Sequence, residues 1–325
     1  MARCPQGSAA WPDPVERVNT VARHHITTQR SLLVTADDFG IGPETSRGIL
    51  DLAARGIVTS TVLLVTSPHA EDAVDAWHAA GQPLELGWHP CLTLDSPILP
   101  PAEVPSLVAP NGRFHGLGEL LKRLVLGQVR TLEVEAELRA QYQRFLDLVG
   151  EPPGNVNAHH HTHVFRPIGD ALRRVLRDVT PRVFVRRVVE PMTTLWKVPG
   201  ARVKRAILTR LGRSAARRQA TDGLPGCEAV LGITDPPCLR DGEFFTRWLA
   251  TARGQVLELA CHPGHLDASL IGRDGTLADG QIHRRVREFE LLSRPTFLDA
   301  VRGAGFRLVT ASGVANPSGW FAAAA

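Results

Sequence analysis

Four short stretches of this chain carry side chains able to hold a cation or move a proton. They are Asp37-Asp38, His89 within Gly87-Trp88-His89-Pro90-Cys91, the run His159-His160-His161-Thr162-His163, and His262 within Cys261-His262-Pro263-Gly264. Taken alone, an Asp pair after an apolar run reads as a cap for the following helix. Neighbouring residues also point in different directions, so one carboxylate could bind a cation while the other accepts a proton. A single His such as His89 is ordinarily a hydrogen-bonded core or surface residue. Here Gly87 allows close backbone approach and Pro90 fixes the chain just past the ring. Four imidazoles within five residues would repel one another if protonated, and metal coordination is the usual employment of such a tract. On an extended backbone His159, His161 and His163 share a face and His160 points away, but spacing does not choose among the four. His262 could be a ligand, a proton donor or structural. Cys91 and Cys261 adjoin two of these histidines and read as small buried hydrophobes rather than thiolates.

One Asp and two His make an open ligand shell with room for water and substrate. Zinc suits such a set, with Fe²⁺, Mn²⁺ or Co²⁺ as alternatives and Mg²⁺ less matched to imidazole. An ion of this kind lowers the pKa of bound water to about 7 and polarises a carbonyl. With a carboxylate base and an imidazole acid beside it, the reaction class is hydrolysis of an amide or ester.

The four groups share a placement. Each follows an apolar run that reads as a buried strand: Ser31–Ala36, Leu84–Trp88, Asn155–Ala158 and Val256–Ala260. Ser60–Thr66, Arg182–Val185, Ala229–Ile233 and Phe306–Val309 read as further strands. Helices are expected over Pro43–Arg55, with Gly56 as the stop, and over Ala70–Ala80, Thr131–Leu148 and Pro167–Arg177. Pro97–Phe114 reads as a Pro-rich loop. Strand and helix alternate with no hairpin signal, which predicts an α/β fold with mostly parallel strands. At this length a closed or nearly closed β/α barrel is expected over two domains. The C-terminal strand ends of such a barrel meet on one face, so residues as far apart as Asp37 and His262 would share a pocket.

Composition sets the outer bounds. The 325 residues are 43% hydrophobic and 22% charged, with a formal net charge of +4 and a pI near 9.0. A disordered chain, a collagen-like repeat and a small disulfide scaffold are excluded. No run approaches the ~18 apolar residues of a spanning helix, and the first residues lack the apolar core of a secretory signal; a cytoplasmic protein is expected. Five cysteines, an odd number with no Cys-x-x-Cys, fit reduced thiols. Residues 1–30, with Pro5, Pro12 and Pro14, read as a loose extension, 31–315 as the domain and 316–325 as a tail. Between Arg202 and Arg218 seven basic residues face no acidic one, a basic insertion near 200–220. It lacks the interleaved aromatics of a nucleic-acid surface, so no nucleic-acid partner is expected. A solvated helix is its ordinary reading. With Ala206, Ile207, Leu208 and Leu211 among the arginines, 202–218 could also touch an anionic membrane.

Thr35-Ala-Asp-Asp-Phe-Gly40, Gly56-Ile-Val-Thr-Ser-Thr61, Gly87-Trp-His-Pro-Cys-Leu-Thr93, Asn157-Ala-His-His-His-Thr-His163 and Cys261-His-Pro-Gly264 follow in order along the chain. Together they resemble the successive signatures of the YdjC/ChbG carbohydrate deacetylase family, from about residue 31 to 312. The resemblance implies a single distorted, TIM-like (β/α) barrel that removes acetyl groups from N-acetylated amino sugars. It implies Asp38, His89 and His159 as ligands of one divalent metal ion, zinc foremost, with Mg²⁺ or another cation as the alternative. It implies Asp37 as the base that takes a proton from water and His262 as the acid for the departing amine. Arg186, with Phe39, His161 and His163, is expected on the substrate side, and a homodimer is a further expectation. The chain departs from the family's usual pattern at Ala158, where a Ser is common, and in the kinked His89-Pro90-Cys91. The substrate is expected to be an oligosaccharide or a glycolipid. The alternatives are another metal-dependent barrel hydrolase or a sugar isomerase, and a non-catalytic sugar-binding member. Amidohydrolases open with a His-x-His strand end that is absent here, and binding alone does not need a base beside a metal.

Overall fold

Apolar runs without polar alternation belong to strands covered on both faces, and every such run above lies in a parallel sheet of the computed structural model. The structure describes Met1 and residues 29–315 except 277 and 279; the expected extension over 1–30 and the tail over 316–325 otherwise lie outside the described residues. The strands are β1 (Arg30–Phe39), β2 (Ser60–Leu63), β3 (Glu85–Trp88), β4 (Asn155–Val156), β5 (Phe184–Val185), β6 (Ala229–Leu231), β7 (Val256–Cys261) and β8 (Phe306–Val309). The helices are α1 (Pro43–Ala54), α2 (Ala70–Ala79), α3 (Leu117–Val125), α4 (Thr131–Val149), α5 (Arg166–Val175), α6 (Met192–Lys197), α7 (Arg202–Thr221), α8 (Phe244–Thr251), α9 (Gln281–Leu292), α10 (Pro295–Gly303) and α11 (Ala311–Ala315). No described helix is long and apolar enough to cross a membrane.

The strand order β5-β4-β3-β2-β1-β7-β6 is that of a barrel cut open between β5 and β6. No ladder joins those two strands among the described residues. Single hydrogen bonds span the seam instead, Val185 N to Pro225 O at 2.8 Å and Val230 N to Val189 O at 2.9 Å. The ten-residue β1 pairs with β7 along one edge; its other edge takes β8 beside Arg30–Leu33 and β2 from Thr35 onward. This is the nearly closed α/β barrel that the alternation predicts, distorted as the resemblance implies.

Parity along the strands sorts the side chains. Leu32, Val34, Ala36, Trp88, Val156, Val185, Leu257 and Leu259 join the large apolar core between sheet and helices. The alternate positions face the barrel axis, where Leu33, Phe184 and Cys227 form a small plug. The same inward rows continue toward the C-terminal ends as Asp37, His89, Asn157, Arg186, Glu258 and His262. β3 and β4 run very close: a Cβ on Gly87 would lie 2.3 Å from the Asn155 carbonyl oxygen, so only glycine fits there.

Some expectations change. β1 does not stop before Asp37 but runs through the pair to Phe39. Neither Asp caps α1, whose N-cap position is Gly42 with no side-chain cap. The stretch His159–Val164 is a tight turn rather than extended chain, with His160 and His161 both left-handed at φ 55° and 56°. The face-sharing pattern expected there therefore does not form. Helices α3, α8, α9 and α10 lie where no helix was expected, and the basic segment is the twenty-residue α7.

Candidate active site

Two adjacent carboxylates can serve one pocket only if the strand's alternation breaks between them. It does: Asp38 has φ 68°, and the β1–β2 register slips between Ala36 and Phe39. Such a bulge re-aims one side chain, so Asp37 and Asp38 both line a cavity of about 290 Å³ at the C-terminal mouth of the barrel. His89, His159, His160, His161, Lys204, His262, Asp274, Arg284 and Arg285 complete much of its wall.

Asp38, His89 and His159 converge, all buried, with one donor atom from each lying within 4.8 Å of the others. A single oxygen, Asp38 Oδ1, meets His159 Nδ1 at 2.9 Å and His89 Nε2 at 3.1 Å. Asp38 Oδ2 accepts from Arg285 at 2.7 Å. Burial alone would raise the Asp38 carboxyl; Arg285 and His159 outweigh it and hold it well below the usual carboxylate range. Burial likewise opposes protonation of His159, yet Asp38 prevails and raises that imidazole above its ordinary value.

The donor set fits a divalent cation of intermediate softness. His89 Nδ1 lies 2.6 Å from the Asn157 carbonyl oxygen. A carbonyl can only accept, so Nδ1 carries a proton and Nε2 is the ring nitrogen left to face the Asp38 carboxylate. Nε2 and Asp38 Oδ1, 3.1 Å apart, can share either a proton or a cation. His159 Nε2 is also buried without a partner. Two nitrogens and one oxygen, with the cavity open beside them, match a zinc-type shell that keeps a position free.

Asp37 is held by other groups. Arg186 grips it through both oxygens, at 2.6 and 2.8 Å, and Asn157 donates to Oδ1 at 3.2 Å. The same guanidinium donates from Nε to Glu258 at 2.8 Å. His262 Nε2 lies 3.7 Å from Asp37 Oδ2. On its other side Arg284 donates to His262 Nδ1 at 2.9 Å, which places the ring's proton on Nε2, toward the cavity. Burial, then Arg284, pushes this imidazole well below its ordinary value. Glu288 accepts from Arg284 at 2.7 Å and sits 3.9 Å from His262 Nδ1. Arg284, Arg285 and Glu288 all come from α9.

The structure thus brings Asp37, Asp38, His89, His159 and His262 to one cavity, and His161 joins its wall with a buried Nδ1 that has no partner. Three expected substrate contacts are placed elsewhere. Arg186 is 1% exposed and consumed by Asp37 and Glu258, so it positions a carboxylate rather than facing a ligand. Phe39 continues the outward row of β1 and is buried in the main core. His163 is locked into backbone, accepting from Ala158 N at 3.2 Å and pairing with Arg186 O at 3.1 Å, and burial with Arg186 pushes it down to about 4. The thiols are inert: burial drives Cys91 up to about 12 and Cys261 well above its usual value. The sequence reading missed Asn157, Glu258, Asp274 and the three residues of α9. The one signal for the last is Arg284-Arg285-x-x-Glu288, charges one turn apart on a helix whose buried face includes Arg285 and Glu288.

Comparison with known proteins places this geometry. A carbohydrate deacetylase of Geobacillus stearothermophilus is 30% identical over 86% of this chain and 96% of its own. A chitooligosaccharide deacetylase of Serratia marcescens is 28% identical over 86% and 97%. Among solved structures, a protein of Enterococcus faecalis V583 named for cellobiose-phosphate cleavage superposes with a TM-score of 0.71 at 25% identity, covering 88% of this chain and 98% of that one. The family model described as YdjC-like protein matches residues 31–303, a span that carries all five residues gathered at the cavity, and this chain belongs to that family.

Proposed function

We propose that this protein hydrolyses the acetamide of an N-acetylated amino sugar, releasing acetate and a free amine. The observation that carries the reading is the division of labour between two adjacent carboxylates. Asp38 is given to two imidazoles, whereas Asp37 is held apart by a guanidinium beside the same cavity. The relatives named carbohydrate and chitooligosaccharide deacetylases supply the substrate class.

Asp38, His89 and His159 would hold the metal, with zinc the best match to their donors. When bound, a divalent cation supplies Lewis acidity toward the acetamide carbonyl and toward water. Asp37, kept in place by Arg186 and Asn157, accepts the proton of the attacking water. His262 presents Nε2 to the departing nitrogen. Charging it requires Arg284 to leave Nδ1, and the nearby Glu288 carboxylate can then accept the new Nδ1–H. His161 lines the same cavity and is placed to contact the sugar. The buried, unpaired thiols of Cys91, Cys227 and Cys261 support a reducing, cytoplasmic setting.

Metal analysis of wild-type and His159→Ala protein, paired with acetate release from N-acetylglucosamine oligomers, tests the reading. Loss of both metal and turnover in the variant is expected. Full metal retention would overturn the ligand assignment, and a metal-loaded wild type inert on every N-acetylated sugar would overturn the activity.

A further inference from the structure

The outer face of α6 and α7 is a surface feature that this chemistry leaves unused. Met192, Trp196, Val203 and Ile207 are 47, 69, 75 and 54% exposed, a concentration of bare apolar side chains that marks an interaction site rather than ordinary surface. No acidic residue lies between Glu190 and Asp222. Arg210, Arg213 and Arg217 are exposed on α7 and have no carboxylate partner among the described residues. At 100° per residue, Val203, Ile207, Arg210 and Arg217 fall on one stripe.

The stripe is rigidly presented. On the opposite side of α7, Arg205 is buried, paired with Glu190 and donating to the Val198 and Gly200 carbonyls at 2.7 and 2.8 Å. A Cβ on Gly212 would lie 1.8 Å from the Val188 carbonyl oxygen, so the helix is seated hard against the barrel there. α7 also reaches the catalytic mouth, because Lys204, next to Val203, lines the cavity.

We infer that this face docks on an anionic lipid bilayer, with Trp196, Val203 and Ile207 entering the interface and the arginines meeting lipid phosphates. Charge complementarity selects the partner. A nucleic acid would use the cations but leave the apolar side chains bare, whereas a bilayer surface uses both. The docking stands on the surface alone. Its corollary, that the acetylated sugar is carried on a membrane lipid, rests on the deacetylase reading.

The test is flotation of the full-length protein with vesicles of phosphatidylcholine, alone or mixed with phosphatidylglycerol. Binding is expected only with the anionic lipid. It should fade as salt rises from about 0.1 to about 1 M, which shortens the screening length from about 10 to about 3 Å. Arg210→Ala/Arg217→Ala should weaken it about 25-fold, from about 1 kcal/mol per basic residue. Trp196→Ser/Ile207→Ser should weaken it on the order of tenfold or more. No binding to either vesicle, or equal binding by wild type and variants, overturns the inference. So does a change of oligomeric state in the serine variant without vesicle binding by wild type, which assigns the face to a second copy, or retention of duplex DNA indifferent to the serine substitutions. Acetate release from soluble oligomers, read in parallel, should be unchanged because none of these side chains lines the cavity. A wild type that floats but releases acetate neither from soluble oligomers nor from an N-acetylated glycolipid would sink the deacetylase reading and leave docking intact.

Discussion

Asp37→Asn separates the two carboxylates most sharply. In the native site Arg186 places one N–H on each oxygen of Asp37, and Asn157 adds a third donor. An asparagine keeps one oxygen and turns an NH₂ toward the other guanidinium nitrogen, so one charge-assisted hydrogen bond is lost. That costs about 1.5–3 kcal/mol. The larger penalty of stripping a buried guanidinium of every partner, about 3–5 kcal/mol, does not apply, because Glu258 still accepts from Arg186. The variant should therefore fold, with an unfolding free energy about 2 kcal/mol lower in urea titration. Asp38, His89 and His159 are untouched, so metal content should match wild type. Turnover on N-acetylglucosamine oligomers should fall by roughly 10²–10⁴, the usual contribution of a positioned base. The companion Asp38→Asn removes the negative charge that meets both imidazoles and sets an NH₂ against either Arg285 or the imidazoles, and it should lose metal and turnover together. If Asp37→Asn loses its metal while Asp38→Asn keeps it, the two aspartates are assigned the wrong way round.

Three further outcomes follow from the same geometry. Asp38 raises His159, so part of the metal-free protein carries a proton there that a cation must expel; metal uptake should release protons and its apparent affinity should rise with pH. Calorimetry in buffers of different ionisation enthalpy checks this, and uptake with no proton release would contradict it. The sign for metal-free stability is opposite: a raised imidazole stabilises fully below its unfolded pKa of about 6.5, and that contribution is lost as pH climbs through the folded value. Arg284 is, after burial, the main group depressing His262. Arg284→Gln should move the basic limb of the kcat profile to higher pH and Glu288→Gln to lower pH, as expected for an acid whose activity is lost on deprotonation; parallel shifts would remove His262 from that role. Gly87→Ala forces a methyl against the Asn155 carbonyl, and overpacking costs about 1–3 kcal/mol. Since His89 is two residues on, metal affinity should weaken along with thermal stability, and a normal affinity at lowered stability would show that strand spacing does not set the ligand.

How much of this could be read from the sequence depends on which physics places each residue. Asp37, Asp38, His89, His159 and His262 announce themselves because an unbroken apolar run ends at or near each of them, and that signal survives errors in strand length. Helix α7 was visible as a basic run with apolar residues among its arginines, but which of its faces is buried was not, because that face is built partly from Arg205, Thr209, Gly212 and Gln219, which no apolar period marks. Parity was hidden for a different reason. Strands covered on both faces show no alternation, so nothing in Phe39 or Arg186 says which way each points until the barrel closes around the axis.

Closure also explains why Arg186 is not a substrate contact. An inward row that carries Asp37 on β1 and Glu258 on β7 would bury two carboxylates side by side, and leaving either unpaired would cost several kcal/mol. Arg186, just past β5, comes from across the seam and bridges both. Its charge is thus a consequence of Asp37 and Glu258 lying inside the barrel. Helix α9 repeats the logic on the opposite wall, giving Arg285 to Asp38 and the Arg284–Glu288 pair to His262. Asp37 thus takes its buried counter-charge from the end of β5, and Asp38 takes its own from α9. This is why two neighbouring aspartates, identical in sequence, reach the cavity with different duties, and why exchanging their partners should cost more activity than exchanging the aspartates' immediate neighbours.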